Sequence, residues 1–181
     1  MISNREHFQS IYNQYKVLVY NVALHYLQNV EDAEEITQDV FVQVHNSLEN
    51  FNEKSSLKTW IYRITINKSL DFIKHKNSSK RFFIFGKKSE NQLEIQNFST
   101  FEHPGIALVN KENASILFKI INELPENQKT AFILSKIDGL SNPEISEIMN
   151  TSISSIASLV FRAKKTLQEK LSIKFEEYRK K

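Results

Sequence analysis

Three side chains of different chemistry recur at helical intervals near residue 60. Trp60, Arg63 and Asn67 stand three and four residues apart, which places them on one side of a helix. An indole beside a cation and an amide is costly for solubility, but it suits stacking on an unpaired nucleic-acid base. An indole that simply closes the edge of a helical domain is the alternative. Ile64 and Lys74 lie on the same side of the predicted helix.

The C-terminal segment predicts a second helix of mixed chemistry. At about 100° per residue, one sector of this helix is largely apolar, and it holds Ile153, Ile156, Val160, Lys164, Leu167 and Leu171. The opposite half holds Ser154, Ser155, Ser158, Phe161, Arg162 and Lys165. A helix that enters the DNA major groove needs such a division, with small polar and cationic groups outward. Phe161 either contacts a base or packs at the domain edge. For the unit as a whole, the alternative is a helical hairpin that does not bind nucleic acid.

Enzyme chemistry has little support in this sequence. The chain has no Cys, its five His are scattered, and no nucleophile motif is present. An acidic cluster has no facing His and makes a poor metal site; it comprises Asp32, Glu34, Glu35 and Asp39. We expect no catalytic residue, no metal, no cofactor and no small-molecule substrate. The acidic cluster is either a solvated face or a docking face for a basic protein partner.

The charges are segregated along the chain. The 24 Lys and Arg nearly balance the 21 Asp and Glu, for a net charge of +3. Residues 1–50 hold two basic and seven acidic groups, whereas residues 51–88 hold ten basic and two acidic. Residues 89–150 hold four basic and nine acidic groups, and residues 151–181 hold eight and three. Two separate basic blocks favour polyanion binding, although solvated helix faces also produce such runs.

The elements that position these groups are predicted to be helices. Apolar periodicity predicts helices over 5–27, 32–48 and about 57–76, the last capped by Ser56. Periodicity fails between 77 and 103, where residues 82–85 form a short apolar patch. Four helices are expected after Pro104, with Pro125 at the first position of the second, Gly139 as a C-terminal cap and a capping box from Ser141 to Glu144 at the start of the third. The sequence therefore predicts an all-α fold: a three-helix domain (1–77), a flexible linker (78–103) and a four-helix domain with a helix-turn-helix (104–181).

The sequence also bears on location. No apolar run approaches the roughly 18–20 residues that span a bilayer, and the N-terminus has no signal-peptide core. The absence of Cys is compatible with a reducing compartment. We expect a cytoplasmic protein.

Three segments in order resemble one family. Residues 32–41, DAEEITQDVF, are similar to the polymerase-binding segment of sigma factors. Residues 59–73, from TWIYRI through Asn67 to DFI, resemble the promoter-melting and −10-recognition helix. Residues 124–128, 138–145 and 161–165 resemble the −35-recognition domain. Two domains with a short linker resemble the extracytoplasmic-function (ECF) group of the sigma-70 family.

The resemblance implies a role for each domain. Residues 1–77 would bind core RNA polymerase through Glu35, Gln38 and Asp39, which match positions that dock on the largest subunit. The loop from Phe51 to Ser56, with Ser55, matches the part that captures a flipped base of the non-template strand. Trp60 would help hold the opened duplex, and Asn67 matches a base-reading position. Residues 104–181 would bind the −35 element.

The resemblance also implies partners and shows departures. Core RNA polymerase, promoter DNA and an anti-sigma factor, often membrane-bound, are the implied partners. Asn150 replaces the usual Gly of the helix-turn-helix, and it tolerates the left-handed conformation. Ala157 and Leu159 stand where basic residues are usual. The alternative function is a free-standing helix-turn-helix transcriptional regulator.

Overall fold

The computed structural model describes residues 4–52, 54–86 and 111–179, and every regular element in these ranges is helical. The chain divides into two compact units, Met1–His103 and Pro104–Lys181. The predicted all-α class is therefore confirmed. Each unit is described by itself below.

The described residues of the first unit form three α-helices. They are α1 (Asn4–Leu27), α2 (Val30–Ser47) and α3 (Leu57–Gly86), with a 3-10 turn (Leu48–Asn50) after α2. Gln28 ends α1 in the left-handed region at φ 54°. Asn29 then caps α2, because its side chain accepts a hydrogen bond from the Asp32 amide at 2.8 Å. The second helix therefore starts two residues earlier than predicted.

Each helix of this unit contacts the other two, and their shared faces form the core. Val19, Val40 and Ile61 are completely buried there, one from each helix. Thr65 and Ser69 of α3 are also completely buried. Their hydroxyls donate to the carbonyls of Ile61 and Thr65, both at 2.8 Å. These small side chains satisfy their hydrogen bonds within α3, so neither hydroxyl is buried without a partner.

Helix α3 extends beyond its predicted end. It was expected to stop near Lys76, with a linker from residue 78, but it continues to Gly86. No Pro or Gly stands between Leu57 and Ser79, and the polar residues Asn77 and Ser78 are exposed on the helix surface. The rest of the predicted linker, 87–103, lies outside the described residues, as do the side chains of the apolar patch at 82–85.

The second unit contains four α-helices within its described residues. They are α4 (Lys111–Asn122), α5 (Glu126–Phe132), α6 (Asn142–Met149) and α7 (Ile153–Arg179), with a π-helical turn (Ile133–Ile137) after α5. Helices α4, α5 and α6 all contact α7. The core includes Ile121, Leu134, Ile145 and Ile156, which are completely buried.

The junctions of this unit follow their sequence signals with one shift. Pro125 was predicted as the first residue of α5, but its ψ of 142° places it just outside the helix, which begins at Glu126. Gly139 has φ +71° and ends the π-helical turn, as its position predicted. The amide of Asp138 donates to the Ile133 carbonyl at 3.0 Å, five residues back. The sequence had given no sign of this wider turn.

Two negative findings apply to the described ranges. None of their helices combines the length and the apolarity that crossing a membrane requires. Their His, Asp and Glu side chains form no cluster of three or more that could hold a metal ion.

Lys129 supplies a pH-dependent contribution to the second unit. It is only 6% exposed, and its Nζ donates to Asn122 Oδ1 at 3.3 Å. Burial lowers the pKa of Lys129, and the Glu126 carboxylate opposes that shift without cancelling it. Between the lowered pKa of the folded state and the ordinary lysine pKa of 10.5, the unfolded chain binds more protons. Stability attributable to this side chain therefore rises with pH through that window.

We predict that the free energy of unfolding of the native protein rises relative to that of Lys129→Met as the pH increases from 7 towards 10.5. Urea titrations followed by circular dichroism at several pH values measure the difference. The exposed Lys119→Met of α4 is the matched control and should show no such trend. Trp60, the single Trp, lies in the first unit, so a change in its fluorescence transition would contradict a local origin.

Candidate nucleic-acid and protein interfaces

A groove of about 610 Å³ lies between α2 and α3 of the first unit. Trp60, Arg63 and Asn67 of α3 line it, together with Asp39 of α2. The two sets of residues predicted for different partners, unpaired DNA and polymerase, thus meet at one surface feature. Because α2 and α3 are held together by the buried core, the groove has rigid walls.

Helix α3 is buried more widely than predicted. Ile64 was expected on the same outward side as Trp60, but it is only 6% exposed. Ile64 and Ile36 of α2 both line the groove, so α2 covers part of the face that helical periodicity alone assigned to solvent. Asn67 remains exposed, and Trp60 and Arg63 are half-buried.

Trp60 packs against an aromatic ring of its own unit. The Phe51 and Trp60 ring centroids are 4.9 Å apart, and the planes are tilted by 34°. Phe51 belongs to the loop predicted to capture a flipped base, so the geometry joins that loop to the indole. The structure thus combines the two interpretations of Trp60: the ring closes the edge of the domain and still lines an open groove.

Ser56 fixes the beginning of α3 and therefore the position of Trp60. Its Oγ accepts a hydrogen bond from the Thr59 amide at 3.0 Å and donates to Thr59 Oγ1 at 2.9 Å. Its carbonyl accepts from the Trp60 amide at 3.0 Å. The predicted cap is confirmed. Ser55 is half-buried beside it.

Acidic and basic side chains of the first unit pair with each other. Lys76 Nζ lies 2.5 Å from Asp32 Oδ2, and Lys68 Nζ lies 3.8 Å from Asp39 Oδ2. Both pairs join α3 to α2. Sequence reasoning missed Lys68 and the ion pairs, since residues 29 and 44 positions apart give no local signal.

Some acidic side chains remain exposed on the outer face of α2. Glu35, Gln38 and Asp39 are all exposed. Among these three predicted polymerase-binding residues, Asp39 forms an ion pair with Lys68 of α3, and its side chain is still 56% exposed. Lys74 is exposed on α3 and is not among the residues that line the groove.

Helices α6 and α7 of the second unit are joined by a tight turn. The Glu144 carboxylate accepts hydrogen bonds from the Ser141 amide at 2.9 Å and the Ser141 hydroxyl at 2.7 Å, which confirms the predicted capping box. Asn150 adopts φ 50°, ψ 50°, the left-handed conformation expected of it. Ser152 then caps α7, accepting from the Ser155 amide at 3.2 Å.

The two faces of α7 differ as predicted, with exceptions at its start and middle. Ile156 and Leu167 are buried, as is Ala163 between them. Ile153, predicted in the buried stripe, is 51% exposed, because it opens the helix beyond the reach of the packing partners. Lys164, from the same sector, is exposed, as its charge requires.

The opposite face of α7 carries the predicted DNA-binding residues. Five of them are exposed and one, Ser155, is half-buried; the exposed residues are Ser154, Ser158, Phe161, Arg162 and Lys165. Phe161 is 69% exposed, so packing at the domain edge does not account for it. The face combines hydroxyl, aromatic and cationic groups on one rigid helix.

Comparisons with known proteins agree with this geometry. Residues 11–79 match the family model Sigma-70 region 2, and residues 115–167 match Sigma-70, region 4. The chain belongs to the sigma-70 family, in its ECF group. It is a transcription initiation factor that directs RNA polymerase to promoters.

Relatives and solved structures span most of the chain. The ECF RNA polymerase sigma-E factor of Haemophilus influenzae is 26% identical over 169 residues, covering 93% of this chain and 89% of the relative. The ECF factor SigW of Bacillus subtilis is 27% identical over 172 residues, with coverages of 93% and 90%.

Two solved structures share the fold. The sigma factor RpoE from Bartonella quintana, in complex with the anti-sigma factor NepR, gives a TM-score of 0.67 at 22% identity over 93% of this chain and 98% of that one. CnrH in complex with the cytosolic domain of CnrY gives 0.66 at 17% identity, over 93% and 90%. These similarities support the fold of this sigma factor.

The Phe51–Trp60 contact leads to a direct prediction. Phe51→Ala should leave the indole more open to solvent and lower the free energy of unfolding by about 0.5–1.5 kcal/mol beyond the loss of buried area. Quenching of the single Trp by acrylamide measures the exposure. Phe8→Ala, which removes a ring that packs on Phe41 and His45, is the control. Equal quenching in both variants would show that Phe51 does not cover the indole.

Proposed function

We propose that this sigma factor binds core RNA polymerase through the exposed acidic face of α2 and holds melted promoter DNA in the groove between α2 and α3. The observation that carries the proposal is the convergence of Asp39, Trp60, Arg63 and Asn67 on one groove. The match to region 2 of the family, residues 11–79, covers α2 and most of α3. We assign residues 1–77 to polymerase binding and −10 recognition on this ground, with α3 continuing beyond the boundary.

The electrostatics of α2 support protein docking. Glu35 and Gln38 are exposed and lie one turn apart, so they present hydrogen-bond acceptors on a common face. Asp39 is exposed beside them although it pairs with Lys68. An exposed ion pair at 3.8 Å contributes little stability. Asp39 can therefore exchange Lys68 for a basic group of a partner at low cost.

Strand opening requires no catalytic side chain in this proposal. Stacking on aromatic rings and contacts to phosphates favour the unpaired strand, so binding shifts the duplex population towards the open form. Phe51 and Trp60 supply the aromatic surface, and Arg63 supplies a cation at the groove wall. We accordingly propose no enzymatic activity.

The second unit is proposed to bind duplex DNA through α7. Region 4 of the family covers the helix-turn-helix and most of α7. Serine hydroxyls stand at the N-terminal end of the helix, and Arg162 and Lys165 follow one to three turns later. We assign residues 104–181 to the −35 element. A free-standing regulator would use this unit alone and would leave the groove of the first unit without a role.

Two further assignments follow from the function. We propose an anti-sigma factor as a partner, since the sigma factor RpoE, whose fold is similar, was solved in complex with the anti-sigma factor NepR. We propose the cytoplasm as the location because bacterial RNA polymerase acts there.

Polymerase docking is tested by charge reversal. Glu35→Arg and Asp39→Arg should each weaken binding to core polymerase by roughly tenfold or more, because they place cations where the proposal needs anions. Glu6→Arg, an exposed reversal on α1, is the matched control and should bind normally. Co-purification with core polymerase and transcription from genomic DNA are the measurements. Wild-type binding by both α2 variants would reject the docking face.

Base stacking is tested separately at the indole. Trp60→Ala should allow polymerase binding but slow strand opening, with a loss of about 1–3 kcal/mol if one base stacks on the ring. Permanganate reactivity of promoter thymines reports the open strand. Unchanged reactivity in a folded, polymerase-bound variant would remove Trp60 from the melting site.

A further inference from the structure

Helix α7 carries an apolar stripe on its exposed surface. Ile153, Ala157 and Phe161 stand at intervals of four residues, so they form one line about 12 Å long. Ile153 is 51% exposed and Phe161 is 69% exposed, and Ala157 between them is exposed as well. Packing within the unit leaves this stripe open, which requires another explanation.

The stripe lies on the DNA-facing side of the helix. At about 100° per residue, Ala157 and Phe161 lie roughly 40° and 80° from Ile153, and Lys165 continues the same line at about 120°. The buried Ile156 lies roughly 60° to the other side of Ile153. Cationic and hydroxyl side chains surround the stripe. This surface favours an anionic ligand that carries small apolar groups over the hydrophobic surface of a protein partner.

The hydroxyls of the serines beside the stripe already form hydrogen bonds within the protein. Ser158 Oγ donates to the Ser154 carbonyl at 3.0 Å. Ser152 Oγ lies 3.1 Å from Ser154 Oγ and 2.8 Å from Ser155 Oγ. Hydroxyls engaged within the helix discriminate poorly between base edges by donating hydrogen bonds. Apolar contact is the form of readout that this end of α7 offers most directly.

Thymine is the base with an apolar group in the major groove. Its C5-methyl projects there, whereas the other base edges offer only hydrogen-bonding groups and C–H bonds. We propose that Ile153, Ala157 and Phe161 read thymine methyl groups in the −35 region, so that this factor prefers T·A pairs at the positions the stripe covers. The line spans three to four base steps at about 3.4 Å per step. This inference rests on the proposed function.

The test replaces a methyl group by hydrogen without altering the hydrogen-bonding edge. Full-length protein with core polymerase first selects duplexes from a pool randomised in the −35 region. Each thymine of the selected sequence is then replaced by deoxyuridine, and the affinity is measured. We expect at least one replacement to weaken binding about fourfold, the factor that corresponds to one buried methyl-sized group.

Substitutions in the stripe test whether its side chains cause that loss of affinity. Ile153→Ser and Phe161→Ser should each bind the thymine duplex more weakly and bind thymine and deoxyuridine equally at one position. Both side chains are exposed, so circular dichroism should show unchanged folding. Ile173→Ser is the matched control, because Ile173 is 59% exposed on the same helix but lies away from the stripe. It should keep the full discrimination.

The possible outcomes distinguish failure of the thymine-methyl inference from failure of the proposed function. The protein could select a sequence and support promoter-dependent transcription but bind thymine and deoxyuridine equally at every position. That result would overturn the inference and leave the proposed function intact. It is also the result expected if a polymerase segment covers the stripe. Discrimination that survives in both serine variants would also overturn the inference. Failure to select any sequence or to make a transcript would reject the proposed function and the inference with it.

Discussion

The packing of α3 against α2 is the constraint on which the first unit depends. Ile61 and Thr65 of α3 are completely buried, as are Val40 and Val44 of α2. The next residues around each helix are the ones that line the groove. A rotation of α3 by a single residue would turn its buried stripe about 100° away from the core, so the core that gives stability also fixes where Trp60 and Asn67 stand relative to Asp39.

The charged side chains contribute to binding surfaces more than to the packing of the helices. The net charge of +3 divides into acidic and basic blocks, but the structure shows that the first two blocks partly neutralise each other through Asp32–Lys76 and Asp39–Lys68. The more exposed of the two pairs, Asp39–Lys68 at 3.8 Å, adds little stability. Under the proposed function, polymerase and DNA would compete with these internal partners. Asp39, as a docking residue, would be held in place by Lys68 in the free protein and remain available to polymerase.

Local signals in the sequence predicted the elements and much of the surface, while contacts distant in sequence remained hidden. Caps such as Ser56 and the αL residue Asn150 could be predicted because their physics is confined to a few neighbours. Burial of Ile64 could not, since it depends on how far α2 covers α3. Exposure of Ile153 depends likewise on where the packing partners of α7 end. The Phe51–Trp60 contact joins a loop to a helix, and periodicity does not describe loops.

In the proposed mode of DNA binding, the second unit divides positioning from base readout along the single helix α7. Residues 153–161 carry no charge, whereas residues 162–174 include five basic side chains and one acidic one. Phosphate contacts position a protein on DNA, and base contacts specify the sequence. One end of α7 can therefore anchor to the backbone while the other end lies in the groove. Uncharged residues at the readout end cost phosphate affinity, but they avoid the sequence-independent attraction that additional cations would bring. An apolar, serine-rich start to α7 is consistent with a factor that obtains its affinity from core polymerase and uses its own helix for discrimination.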